Sequence, residues 1–312
     1  MTIVRPIAMQ IILAYLGVVL IWSTTPLAIA WSGQAAGFLF GLTARMLLGT
    51  ILAFIFAALI GKKVIWHRRA CTAYLYGGLG IYGSMICVYW SAQFIPSGWV
   101  SLLFGLTPIF SSIMAALWLK GELITRPRII GMLMGLAGLA MIFGSSLAWG
   151  MPAVLGVCGI LVSGMIHSAS AVWVKRTRAQ VSGISMTVGS LMVATPLLLI
   201  TWALTSQASM DEAWASMMAA PLHTSISIAY LALFGSVFGF SLYFYVLQHV
   251  EATRVALISL MTPITSLMLG HYLNHEVITS NLIIGASLII GGLAVFELGG
   301  RSLPKWIPFR PN

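Results

Sequence analysis

Few side chains in this 312-residue chain could do chemistry, and their setting matters as much as their type. Arg45 stands inside the apolar run 35–60, too deep to snorkel to either end. A charge buried in hydrocarbon costs ~2.5–3.5 kcal/mol on insertion scales, so this guanidinium must face a protein interior that offers acceptors. The acceptor is either a solute carboxylate, or helix carbonyls and hydroxyls that give Arg45 a structural or gating role. His167 is the other deep ionisable group. An imidazole changes protonation near neutral pH, which makes His167 the coupling candidate. Its alternative is a neutral histidine hydrogen-bonded within the bundle. No Asp or Glu falls mid-run, and Glu297 lies near the end of the last one. Ser163 stands four residues before His167 with no orienting acid in evidence, so nucleophilic catalysis is not indicated. A GxxxxGK[ST] phosphate loop does not occur. Cys71, Cys87 and Cys158 are scattered and odd in number, which fits neither a disulfide framework nor a metal cluster. The chain is therefore read as no enzyme, without catalytic residues, metal or cofactor.

A second set of residues could shape a pathway. Pro108 and Pro263 each follow a threonine, Thr107 and Thr262, within an apolar run. A proline there removes a backbone hydrogen bond and frees a carbonyl toward a cavity, or it makes a static kink. Pro26 and Pro196 could act likewise. Tyr82, Tyr89 and Trp90 in one run, and Tyr243, Phe244 and Tyr245 in another, could form aromatic walls for an amphipathic or aromatic solute. The rival reading is lipid-facing or interfacial packing; Trp31, Trp66, Trp99, Trp149 and Trp306, near run ends, are read as interfacial belt. Gly37/Gly41, Gly131/Gly135 and Gly235/Gly239 are GxxxG pairs that permit close helix approach, within the chain rather than between copies. Glu122 and Glu276 are expected to cap helix joints, and Thr125 to N-cap the fifth run.

The elements that must carry these residues follow from bulk properties. Of all residues 60% are hydrophobic and only 7% charged, with a mean hydropathy of +1.00. A soluble domain carries roughly 25% charged residues, so water cannot be the solvent for this surface. Apolar runs long enough to cross hydrocarbon occur near 8–30, 35–60, 70–93, 98–119 and 127–146. Five more lie near 151–174, 183–205, 224–248, 253–274 and 279–298. The first resembles a signal peptide but exceeds the length of a signal core, and is read as retained. The joint at about 206–222 holds Asp211 and Glu212 and has room for a short surface helix.

A net charge of +10 would suggest nucleic acid in a soluble protein, but here the basic residues sit in short gaps between runs. With the N-terminus inside, fifteen of the sixteen Lys and Arg residues fall on the cytoplasmic side; the sixteenth is Arg45. This predicts an all-α membrane protein of ten transmembrane helices with both termini cytoplasmic, embedded in a lipid bilayer and binding no nucleic acid.

The chain also resembles itself. Glu122-Leu-Ile-Thr-Arg-Pro-Arg-Ile-Ile-Gly131 recurs as Glu276-Val-Ile-Thr-Ser-Asn-Leu-Ile-Ile-Gly285, and Gly138-Leu-Ala matches Gly292-Leu-Ala at the same offset. One residue away in register, Thr107-Pro-Ile meets Thr262-Pro-Ile. Five spans is an odd number, so the second half must enter the membrane inverted. Lys120, Arg126 and Arg128 accordingly become Asn274, Ser280 and Leu282. The expected layout is two inverted five-helix repeats, 1–147 and 148–300, then a short basic cytoplasmic tail, 301–312. Such repeats suit alternating access around a midplane site.

Trp22-Ser-Thr-Thr-Pro26 in the first span, Arg45 in the second, and proline-centred fourth and ninth spans each followed by Glu and a Gly-rich span carry a family likeness. In that order and spacing the chain resembles the EamA family of the drug/metabolite transporter superfamily, over about 8–298. The resemblance implies a secondary transporter in the bacterial inner membrane that exports amino acids, their derivatives or other small organic solutes. A channel or receptor is the alternative. Small multidrug exporters of that superfamily carry a first-span glutamate for proton coupling, and Ile21-Trp22-Ser23-Thr24 lacks one. The pathway candidates are Trp22, Thr24, Arg45, Tyr82, Tyr89, Trp90, Thr107, Pro108, Ser163, His167, Tyr243, Tyr245, Thr262 and Pro263, acting in a monomer, with a homodimer as the alternative.

Overall fold

The structure, a computed structural model, describes residues 4–34, 36–118, 125–206, 209–250, 255 and 258–298. Every regular element among them is helical, as hydrocarbon demands: without water, each backbone polar group must be satisfied within its own segment. The first half supplies α1 (Val4–Ser32), α2 (Phe38–Leu59), α3 (Arg68–Ser91), α4 (Ser97–Phe104), α5 (Thr107–Trp118) and α6 (Arg126–Ala148). Then come α7 (Met151–Thr177), α8 (Gly183–Thr205), α9 (Met210–Ala219) and α10 (Leu222–Tyr230). A π-helical segment (Leu231–Phe238) leads into α11 (Gly239–His249), followed by α12 (Ile258–Asn274) and α13 (Ser280–Leu298). Among the described residues eight stretches are long and apolar enough to cross a bilayer, and Ser280–Phe296 is a shorter apolar one. Large apolar side chains point outward along them, Leu20 and Leu59 among the most exposed. That is the reverse of a soluble surface.

Two expected spans are interrupted. The fourth is α4 and α5, broken at Gly105-Leu106, so Pro108 sits in the first turn of α5 instead of inside a continuous helix. Proline is tolerated there because that turn has no partner for its missing N–H. The eighth contains the π segment, which no propensity in Leu231–Phe238 announces. The joint before it holds a surface helix, α9, closed by a reciprocal cap: Ser209 Oγ accepts from Glu212 N, and Glu212 accepts from Ser209 N. The Ser209 backbone N–H and then its hydroxyl hold the Glu212 carboxyl below its usual pKa.

Glycines set the closest approaches. A Cβ on Gly131 would lie 2.3 Å from Gly292 O, and one on Gly138 would lie 2.5 Å from Gly285 O. Helices α6 and α13 therefore touch backbone to backbone. Gly131 and Gly285 are repeat mates, as are Gly138 and Gly292, so the two contacts exchange partners as a two-fold axis would require. Gly41 packs on Ser32 O of α1. Of the GxxxG glycines, Gly41 and Gly131 thus make close backbone contacts within the chain.

Two expectations need correction. Trp99 is 1% exposed and packs on Trp149 at 5.4 Å between centroids, so it belongs to the core and not to an interfacial belt. The close seam of α4 on α12, where a Cβ on Gly98 would meet Leu267, draws that turn inward. The Thr125 hydroxyl has no hydrogen-bond partner among the described residues; the cap forms at its repeat mate, where Thr279 Oγ1 accepts from Leu282 N. Glu122, Lys120 and Trp306 lie outside the described residues.

A central cavity lined by both halves

A cavity of about 90 Å³ lies where α1, α2, α3, α4, α7, α11 and α12 converge. A water needs ~10–15 Å³ by this kind of measure, so several waters or the core of a small solute would fit. The α3 wall follows helical spacing: Gly77, Gly80, Ile81, Ser84, Met85 and Val88 form one stripe. Its glycines let α8 and α7 close in; a Cβ on Gly80 would strike Ser170 Oγ at 2.1 Å. The lining is mostly apolar, with polar points at Arg45, Ser84, Ser101, His167 and Thr262, and with Thr25 and Ser170 whose hydroxyls donate to Ile21 O and Tyr76 O. The Ser84 hydroxyl is buried without a partner among the described residues. A hydroxyl on an apolar helix normally returns to a carbonyl one turn back, and this one does not.

Arg45 is 1% exposed, at the edge of the cavity. Its Nε donates to Ser236 Oγ at 3.1 Å and its Nη1 to the Tyr89 hydroxyl at 3.3 Å. Its Cζ stands 5.9 Å from the Tyr89 ring centroid. Nη2 lies where a Cβ on residue 235 would come within 2.8 Å, so Gly235 admits the guanidinium. The partners are hydroxyls, and no carboxylate pairs with Arg45 among the described residues. Arg45 thus ties α2 to α3 and to the π segment. Such segments recur at functional sites because they displace side chains from α-helical register, and the cavity rings Phe240, Tyr243 and Phe244 follow directly after this one.

His167 is the hub of an aromatic cluster. Its ring centroid lies 5.9 Å from Trp22, 5.2 Å from Phe104 and 5.2 Å from Tyr243, and Trp22 and Tyr243 are 5.1 Å apart. At those separations the rings touch one another and form a wall; no slot for a guest remains between them. Four helices, α1, α4, α7 and α11, meet through this cluster. Neither imidazole nitrogen has a hydrogen-bond partner among the described residues, which leaves the polar edge of His167 available to the cavity.

Of the residues singled out from sequence, Trp22, Pro26, Arg45, His167, Tyr243, Phe244 and Thr262 line this cavity. Tyr89 stands behind Arg45, and Ser163 donates to Ser84 O at 2.9 Å, bracing the α3 wall from α7. The carbonyl of Thr107 accepts from Ser168, and Pro108 and Pro263 are buried beside their threonines. Thr24 bonds to Tyr230, Tyr82 to Thr201, Trp90 packs on Phe94, and Tyr245 on His249. These last four are away from the cavity lining. Sequence reasoning passed over Ser84, Ser101 and Phe104. The small and polar stripe Gly77, Gly80, Ser84 was the signal available for the α3 wall.

A sequence model of the EamA-like transporter family matches residues 9–144 and again 154–298. The chain is 26% identical over 289 residues to the uncharacterized transporter YoaV of Bacillus subtilis, covering 91% of this chain and 95% of that protein. It is 24% identical to a protein of Streptantibioticus cattleyicolor named as a probable terminal-alkyne amino-acid exporter, covering 89% and 93%. The uncharacterized inner membrane transporter YedA of Escherichia coli K12 is also 24% identical, covering 91% and 90%. A solved crystal structure, 19% identical, superposes with a TM-score of 0.68 over 92% of this chain and 97% of that one, a likeness of fold.

Proposed function

This chain belongs to the EamA-like transporter family, and we propose that it is a ten-span secondary exporter of small organic solutes in the bacterial inner membrane. Its halves, 1–147 and 148–300, are inverted repeats with both termini cytoplasmic, and 301–312 is a basic cytoplasmic tail. Two matches to one family model, the Lys/Arg distribution and the paired glycine contacts of α6 and α13 support that layout. The observation that carries the transport reading is the central cavity, lined from both halves and closed by an aromatic wall. The solute is an amino acid or another small amphipathic or aromatic molecule. Its apolar part lies against Trp22, Phe104, Tyr243 and Phe244, and its polar groups meet Ser84, Ser101, His167 and Thr262. An amino-acid substrate is in keeping with the name given to the Streptantibioticus relative.

Arg45 holds the wall and gates it. Its hydroxyl partners and near-complete burial favour that role over direct contact with a carboxylate. Alternating access then consists of rearranging the helices that meet at His167 while the solute remains near the midplane. The protein acts as a monomer. A growth-protection screen with an overexpression strain, across toxic amino acids, analogues and amphiphiles, selects the solute. Counterflow of that labelled solute in proteoliposomes then tests the reading, because a carrier shows counterflow and a channel does not. Absence of counterflow for every protecting solute would refute it.

A further inference from the structure

Glu276, at the joint between α12 and α13, makes contacts that a local cap does not require. Its Oε1 accepts from Ser97 N at 2.9 Å and its Oε2 from Gly98 N at 3.1 Å. These are the first two amides of α4, 179 and 178 residues away in sequence. The first amides of a helix have no intrahelical partner, and the positive end of the helix dipole favours an anion there. The residue before α4 is Pro96, which has no side-chain acceptor to offer. A cap is normally supplied by the chain entering the helix; this one comes from another element, so it exists only while two helices hold one arrangement.

Three elements are joined in this way. Asn274 Nδ2 donates to Glu276 Oε1 at 3.0 Å, and Asn274 Oδ1 accepts from Trp31 Nε1, at the end of α1, also at 3.0 Å. Glycines make room: a Cβ on Gly270 would lie 2.3 Å from Glu276 Oε2, and one on Gly98 would lie 2.6 Å from Leu267. The same three elements line the cavity, α1 through Trp22 and Ile29, α4 through Ser101 and Phe104, and α12 through Thr262.

We propose that Glu276 is the latch of the cavity's outer mouth. Its carboxylate on the α4 N-terminus holds α1, α4 and α12 together in the closed arrangement, and opening to the outside requires this seat to be vacated. Glu276 acts as a positioning residue and does not touch the solute. The word "outer" rests on the orientation given under the proposed function; the latch itself rests on the contacts.

The test uses the full chain in sealed right-side-out and inverted membrane vesicles. A single reporter thiol is placed on the α3 wall by Met85→Cys, in a background of Cys71→Ala, Cys87→Ala and Cys158→Ala. The probe is a membrane-impermeant maleimide. Glu276→Gln and Glu276→Ala should each speed labelling from the outside by about tenfold, the open-state gain from losing one net charged hydrogen bond. Labelling from the inside should not accelerate. Glu212→Ala, which removes the reciprocal half of the α9 cap, should leave both rates unchanged. Should Glu276→Ala fail to accumulate, Trp31→Phe cuts the α1 link and carries the same forecast at smaller size. Parental labelling in the folded variants, or equal acceleration from both sides, would overturn the latch. Acceleration from the inside alone would keep the latch and overturn its assignment to the outer face. Counterflow in the parent protein, measured separately, tests whether the chain is a carrier at all.

Discussion

Replacing Arg45 with alanine should remove transport while leaving a folded, inserted protein, and the structure explains why the two separate. The guanidinium makes two hydrogen bonds, to Ser236 and Tyr89. At ~1.5–3 kcal/mol for a bond to a charged group, their loss costs about 3–6 kcal/mol. The same substitution removes a buried charge whose insertion costs ~2.5–3.5 kcal/mol. The two terms offset in part, leaving a net destabilisation of about −0.5 to 3.5 kcal/mol. Both orphaned hydroxyls retain a second contact, Ser236 to Met46 and Tyr89 to Ser32. What is lost is the tie holding the π segment, and with it the positions of Phe240, Tyr243 and Phe244. Arg45→Lys keeps the charge but not the planar fork, so it should restore little transport and be no more stable than alanine. Removing the acceptors is expected to be worse than removing the cation. Tyr89→Phe with Ser236→Ala strands the charge, at a cost of ~3–5 kcal/mol, and adding Arg45→Ala should rescue accumulation. Counterflow in proteoliposomes reads transport, and thermal aggregation followed by size-exclusion chromatography reads stability. Parental counterflow in Arg45→Ala, or a stranded-charge variant more stable than Arg45→Ala, would refute the reasoning.

Three further outcomes follow from the same geometry. Cysteines placed at Val64 and Arg178 should react only from the cytoplasm, and those at Gly33 and Ser209 only from outside; cytoplasmic labelling at 209 would break the ten-span layout. Without a mid-span carboxylate, transport should run down the solute gradient or by exchange, and an imposed pH gradient should not drive accumulation. If accumulation occurs, it should vanish in His167→Ala while exchange survives; His271, in the last turn of α12, is the other histidine that could take up a proton, and accumulation intact in both His167→Ala and His271→Ala would require another coupling group. Gly131→Val or Gly292→Val should destabilise the α6–α13 seam by several kcal/mol, because each side chain would enter backbone atoms less than 3 Å away. Unchanged thermal aggregation of either variant would contradict that close approach.

Composition and local pattern carried much of the architecture. Solvent, element type and approximate span ends were legible because hydropathy and run length are properties of contiguous residues, and α7, α8 and α13 begin within a residue of where the pattern puts them. The interior placement of Arg45 and His167 was legible for the same reason: a charge or imidazole in an apolar run has few places to go. Contacts across the bundle were not. Nothing near residue 89 says that Tyr89 will meet Arg45 rather than a solute, nor that Tyr82 and Tyr245 will point away from the cavity while Tyr243 lines it. One aromatic run looks the same from either side until its neighbours are fixed. Trp99 reads as a boundary residue by its position, yet the glycine-mediated approach of α4 to α12 buries it. Glu276 reads as a cap, but which helix it caps depended on bringing residues 97 and 276 together. Periodicity assigned each residue to an element and a rough depth; only packing of the helices against one another chose its face, its partner and its share of the cavity.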